Sequence, residues 1–121
     1  MVNVKIWSPK KNNYRSMSLT LDTGAAVTTI SKDILDFLGY DTQSKSKKRI
    51  ITASGVEYAD EVILNKLMIA RYELTDVKAC AHKFPQEILS DGVIGINVLS
   101  NFDLFISFQR KIMQFIPTSM E

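Results

Sequence analysis

One segment, Leu21-Asp22-Thr23-Gly24-Ala25, constrains the fold of this chain more than any other. Ser18 to Leu21 alternate polar and apolar before it, and Val27-Thr28-Thr29-Ile30 follows as a β-branched run. That context reads strand, loop, strand, with a carboxylate delivered into the loop. Asp-Thr-Gly also suits an ordinary tight turn. The sharper reading is chemical and needs a second carboxylate. Two carboxyl groups a few ångströms apart cannot both ionise, so such a pair can act as base and acid on a water molecule. The motif occurs once in 121 residues. A pair therefore requires a second copy of the chain, and a twofold axis beside Asp22 would set each Asp22 against its twin.

The remaining pattern is mostly strands. Val2, Val4 and Ile6 alternate with polar residues, and Ser8-Pro9-Lys10-Lys11-Asn12-Asn13 is a turn leading into the strand that ends at Asp22. Ser31 is placed to cap a helix of about two turns, with Asp33 at its positive end, Ile30, Ile34, Phe37 and Leu38 on one face and Gly39 closing it. Asp41 to Arg49 carries Lys45, Lys47, Lys48 and Arg49 and reads as an exposed loop. Ile50 to Tyr58 reads as a hairpin turning at Ala53-Ser54-Gly55. Val62-Ile63-Leu64, Leu67 to Ala70 and Val77 to Ala81 read as further strands, and Phe84-Pro85-Gln86-Glu87 as an interruption. Phe102 to Phe108 and Ile112 to Ile116 form a last hairpin around Gln109-Arg110-Lys111.

Composition narrows the function classes. The length fits one domain spanning 1–121 with a real core. A net charge of +2 gives no reason to expect a nucleic-acid partner, and the basic run from Lys45 to Arg49 reads as a solvated loop. The single Cys80 excludes an internal disulfide, has no zinc-type ligand cluster around it and reads as a core residue. The lone His82 lacks a nucleophile pattern, and Ser54-Gly55 is not a nucleophile elbow. No apolar run reaches signal-peptide or membrane-spanning length, so the expectation is a cytoplasmic protein without a membrane partner.

Leu21-Asp22-Thr23-Gly24-Ala25, followed further along by Asp91-Gly92-Val93-Ile94-Gly95-Ile96-Asn97, resembles the motifs of the retropepsin-like aspartic peptidases, single-lobe relatives of pepsin. The resemblance implies an all-β, acid-protease-type closed barrel with one or two short helices and one lobe per chain. It implies that the Val93-Ile94 strand passes through the wide loop made by the Asp-Thr-Gly strand, with Gly95 permitting close approach. It also implies a homodimeric endopeptidase acting on peptide or protein substrates through two Asp22 carboxylates, with no metal and no cofactor. Thr23 would lock the two active loops across the axis, Gly24 and Ala25 would complete the active loop, and Ser54-Gly55 would centre a flap. Val27, Ser54, Gly55, Val56 and Ile94 are the candidate substrate-binding residues.

Two positions depart from the retroviral pattern. Ala26 and Ile96 stand where those members have an Asp and an Arg that pair near the dimer interface, and losing both charges together avoids stranding one of them. Asn97 matches the family pattern and is expected to cap the following helix, while Asp91 reads as a turn former. Ala25 cannot donate the hydroxyl hydrogen bond that pepsin-like enzymes aim at their carboxylates, so the expected working range is mildly acidic to near-neutral. A pH-rate maximum below about 3.5 would contradict this. The alternative is a dimeric module that keeps the barrel, binds peptide or protein and does not cut.

Overall fold

The structure is a computed structural model describing residues 1–43, 47–52, 55–84 and 90–118. Strands β1 (Val2–Ser8) and β2 (Asn13–Leu21) pair antiparallel from Val2↔Leu19 to Ser8↔Asn13, as the alternation at the N-terminus predicts. After the Asp22 loop come β3 (Thr28–Ser31) and helix α1 (Lys32–Leu38). A long ribbon follows: β4 (Lys47–Thr52), β5 (Gly55–Ile69) and β6 (Tyr72–His82). Then come β7 (Gly92–Ile94), α2 (Ile96–Leu99), β8 (Phe102–Ser107) and β9 (Ile112–Pro117).

Six strands close a barrel in the order β1-β2-β7-β3-β6-β5, because β1 also pairs with β5 from Val4↔Ile69 to Ile6↔Leu67. β4 stays outside the ring and pairs only with the first part of β5, giving a projecting hairpin in register from Lys47↔Asp60 to Thr52↔Gly55. β7 lies between β2, to which it is parallel, and β3, to which it is antiparallel. It thus passes through the loop made by β2, the Asp22 turn and β3, as the resemblance implies. The core collects alternate side chains: Val4 and Ile6 of β1, Met17 and Leu19 of β2, Val62 and Leu64 of β5, and Ile30, Ile94 and Val98.

The two apolar groups read as separate strands, Val62 to Leu64 and Leu67 to Ala70, belong to one continuous β5, and Ala70 lies in the tight turn after it. A physical break nonetheless falls between them. Buried positions run Val62, Leu64 and then Leu67, Ile69, so the inward phase shifts by one across Asn65 and Lys66. Opposite them, Asp76 has φ 52°, a left-handed conformation that Asp tolerates better than most residues. The Tyr40 hydroxyl accepts the Asn65 N–H at 3.1 Å and donates to the Trp7 carbonyl at 2.6 Å. One side chain thereby bridges β5 and β1 where the two strands part.

Three expectations need correction. In α1 the buried residues are Leu35 and Leu38, while Phe37 is exposed beneath Lys11 and Arg15, 4.5 and 4.9 Å from its ring. Ser31 precedes the helix but makes no capping bond, because it is still in β3 and gives its N–H to the Asp91 carbonyl at 2.9 Å. The stretch from Asp41 to Arg49 is not all exposed loop. Thr42 is buried with its hydroxyl on Asp36, and Lys47 to Arg49 already belong to β4. Lys45 lies outside the described residues, as do most of the interruption after Phe84 and the tip of the Ile50–Tyr58 hairpin. Gly39 closes α1 as expected, in the left-handed region at φ 99°, where a Cβ would stand 2.5 Å from that of Lys10.

Candidate active site

Asp22 follows the last residue of β2 at the point where β7 runs alongside, and its N–H donates to the Ile94 carbonyl at 3.1 Å. The chain then turns on itself. Its carbonyl accepts the Ala25 N–H at 3.2 Å, and its Oδ1 accepts the Gly24 N–H at 2.9 Å. The carboxylate is thus aimed by two strands and by its own turn. Asp22 and Ala25 are half-buried, while Thr23, Gly24 and Ala26 are exposed.

The loop is held from behind by the β7–α2 junction. Ile96 N–H donates to the Ala25 carbonyl at 2.7 Å and Asn97 N–H to the Ala26 carbonyl at 3.1 Å. Gly95 makes this approach possible: a Cβ there would stand 2.6 Å from the Val27 carbonyl carbon and 2.8 Å from the Ala25 oxygen. The buried Thr28 hydroxyl accepts the Gly95 N–H at 3.1 Å and donates to Asn97 Oδ1 at 2.9 Å. Asn97 Oδ1 also accepts the Thr28 N–H at 2.8 Å, and its Nδ2 donates to the Lys78 carbonyl at 2.7 Å. Each side-chain nitrogen and oxygen of the Thr28–Asn97 pair has a partner. Such a satisfied buried network is rigid, because any displacement strands a donor or an acceptor.

Asn97 therefore does not cap α2, whose first flanking residue is Gly95 with no side-chain cap. Its amide instead ties the active loop to β3 and β6, a structural role of a different kind. Thr28 was not singled out in the sequence, although a hydroxyl inside a β-branched run destined for the core was the available signal. Asp91 is structural as expected: Oδ2 accepts the Ser18 N–H at 3.0 Å, and its own N–H donates to the Ser18 carbonyl at 3.0 Å. Gly92 sits under β3, where a Cβ would be 2.2 Å from the Thr29 oxygen.

The proposed pocket residues divide. Val27 is half-buried directly after the loop. Gly55, at φ 127°, and Val56 open β5 at the tip of the projecting hairpin, and both are exposed. Ser54 lies outside the described residues. Ile94 is not a pocket wall within this chain, because its side chain is fully buried in the barrel core and only its carbonyl serves the site. Among the described residues, no group of three or more His, Cys, Asp or Glu side chains could hold a metal ion. No helix among them is long and apolar enough to cross a membrane.

Comparison with known proteins decides the family. The model of the family described as "gag-polyprotein putative aspartyl protease" matches residues 9–101, a span that includes the Asp22 loop, β7 and α2. The chain belongs to this retropepsin-like aspartyl protease family. The fold agrees: a retropepsin-like aspartic protease from Rickettsia conorii superposes with a TM-score of 0.68 at 22% identity, over 94% of this chain and 79% of that one. Among curated proteins no relative matches by sequence. Asp-Thr-Gly occurs once in the sequence, and in this retropepsin-like barrel Thr23 and Gly24 of its loop are exposed.

Proposed function

We propose that this protein is an aspartic endopeptidase that works as a homodimer, with one Asp22 from each subunit forming the active pair. The observation that carries this reading is the aim of the Asp22 loop. A carboxylate is fixed by β2, β7 and the Thr28–Asn97 network, while the adjoining Thr23 and Gly24 remain exposed. A loop anchored so firmly at its back and left open at its front is suited to meeting an identical loop.

In the dimer one Asp22 takes a proton from a water molecule, which attacks the carbonyl carbon of the scissile peptide bond. The partner's Asp22 gives a proton to the carbonyl oxygen, and the tetrahedral intermediate then collapses with the proton passing to the leaving amine. The substrate is an extended peptide lying under the β4–β5 hairpins, its backbone bonded strand-fashion and its side chains in apolar pockets. Val27 and Val56 are the candidates for those pockets.

The test is cleavage of a diverse peptide library between about pH 4 and 7 by the wild type and by Asp22→Asn, with the mass in solution recorded on the same samples. Cleavage by a dimer that vanishes in the variant is the expected result. A stable dimer that cuts no peptide would favour the binding module instead.

A further inference from the structure

The far end of β2 from Asp22 carries a group of cations that the chain does not neutralise. Lys10 and Lys11 lie in the turn between β1 and β2, and that turn is fixed to the end of α1. The Ser8 hydroxyl donates to the Leu38 carbonyl at 2.8 Å, the Lys10 N–H donates to the same carbonyl at 3.2 Å, and Ser8 Oγ accepts the Lys11 N–H at 3.1 Å. The turn thereby holds Lys11 over Phe37, a residue of α1 that is 48% exposed, with Nζ 4.5 Å from the ring centroid. Arg15, from β2, brings its guanidinium carbon to 4.9 Å from the same ring. Each cation is attracted to the ring, but two like charges gathered on one ring also repel each other. Among the described residues no carboxylate lies within ion-pair distance of Lys10, Lys11 or Arg15. Asp36 is held by Lys32 and Thr42, and Asp33, one helical turn before Phe37, makes no ion pair. The outcome is three exposed positive charges and an open aromatic ring on a braced base.

We propose that Lys10, Lys11 and Arg15 around Phe37 form a docking site for an acidic segment of a partner protein, one in which carboxylate side chains flank an apolar one. Charge complementarity selects this occupant. A carboxylate brought between the cations relieves their repulsion, and Arg15 can take it with two parallel hydrogen bonds. The neighbouring apolar side chain covers the open part of Phe37. A wholly apolar partner would instead bury unpaired charges, which is costly. A nucleic acid supplies the charge, but the chain as a whole, at +2, has little general attraction for a polyanion. The platform is prepared in advance, because the bonds of Ser8 and Lys10 to Leu38 set the turn before any partner arrives. It is also remote from the active loop. The run from Arg15 to Asp22 along β2 spans about 23 Å at about 3.3 Å per residue. Docking here therefore neither requires nor supports cleavage at Asp22.

The experiment is fluorescence anisotropy with three labelled probes: a short peptide alternating Glu and Leu, the same peptide with Gln for Glu, and a single-stranded oligonucleotide of equal negative charge. The full chain carries Asp22→Asn, so that cleavage of a probe cannot imitate its release. The Glu–Leu peptide should bind in the micromolar range at low salt, and the Gln–Leu peptide at least about tenfold more weakly. Lys11→Glu with Arg15→Glu should lower affinity for the Glu–Leu peptide by at least about tenfold, and Phe37→Ala by about fivefold. Arg71→Glu with Arg110→Glu changes the net charge equally at exposed positions elsewhere and should lower it by less than about twofold. Lys11→Glu alone, at an exposed turn position, should lower it by about threefold and serves as the test if the paired variant fails to fold. Charge reversal at Lys11 and Arg15 that is no more harmful than the Arg71 and Arg110 control would overturn the proposal. So would an oligonucleotide bound as tightly as the Glu–Leu peptide, or no binding to any probe. Cleavage of peptides by the wild type and its loss in Asp22→Asn are read separately, so either proposal can fail while the other stands.

Discussion

At the scale of single residues, the site depends on two small groups behind Asp22. Gly95 has no room for a methyl group, since its Cβ would stand 2.6 Å from backbone and not from a side chain able to swing away. Gly95→Ala is expected to push the Ala25–Val27 segment forward, cost about 3 kcal/mol, and abolish peptide cleavage even where the protein still folds. Thermal melts and turnover on one peptide would check both parts. Thr28 is a gentler probe. Thr28→Val keeps the shape but leaves the Gly95 N–H without its acceptor and Asn97 without one donor. The expected cost is about 1–3 kcal/mol, with kcat falling more than KM rises, because the loss is in the aim of Asp22 and not in peptide contact. Thr28→Ser, which keeps the hydroxyl, should recover most of both.

At the scale of elements, the joints between strands and helix set the barrel's stability. The Tyr40 hydroxyl satisfies backbone groups of β1 and β5 together, so Tyr40→Phe should lower stability by about 1–3 kcal/mol, read as a reduced denaturation midpoint. Burial pushes the Tyr40 phenol above its ordinary 10.0, outweighing the opposing bond from Asn65. A raised folded-state pKa means the contribution is fully present below pH 10 and is lost as pH rises through the folded value, so Tyr40 should ionise with alkaline unfolding. Asp36 in α1 works in the opposite sense. The Thr42 hydroxyl first, and Lys32 at 3.0 Å second, hold its carboxyl below the usual 3.8. Its stabilising effect is therefore present above that value and lost as pH falls through the lower, folded-state pKa. Thr42→Val should narrow its stability gap to the wild type as pH is taken down from 6 toward 3, and the exposure of Asp36 keeps the effect small. Much of this architecture is legible in the sequence. Alternation marks β1, β2 and the last hairpin, Gly39 marks the end of α1, and the family resemblance carried by the Asp22 and Gly95 motifs implies the threaded β7. What escapes is tertiary. The Leu35 face of α1 replaces the Phe37 face because Lys11 and Arg15 offer Phe37 a surface partner, and Asn97 passes from cap to brace because Thr28 and Lys78 arrive from distant strands. The break between Leu64 and Leu67 is visible in the sequence as two apolar groups. That it is a phase shift within one strand, turned by Asp76 and bridged by Tyr40, depends on contacts no local pattern encodes.

At the scale of the whole molecule, the protein is a barrel whose back is finished and whose front is not. The Asp22 loop is braced by polar bonds, and among the described residues no buried side-chain nitrogen or oxygen lacks a partner, while Thr23, Gly24 and Ile96 lie open. On the proposed reading a monomer holds one of the two carboxylates the reaction needs, and a twofold axis beside Asp22 would supply the other. That reading assigns activity to the pair and not to the chain, which gives a prediction independent of any interface substitution. Asp22→Asn is nearly isosteric and keeps the backbone bonds of the loop, so the variant should exchange freely into dimers with the wild type and silence them. Mixed with about a ninefold excess of Asp22→Asn and allowed to exchange, each wild-type chain finds a wild-type partner only about one time in ten, and its specific activity should fall to about one-tenth. The loss should be absent when the two are mixed at once with saturating substrate, before exchange occurs. Activity that stays proportional to the amount of wild-type chain after full exchange would show that a single Asp22 suffices, and would remove the reason for two loops to meet. A loss that follows the statistics of pairing, at constant total mass of dimer, would place both carboxylates in one reaction.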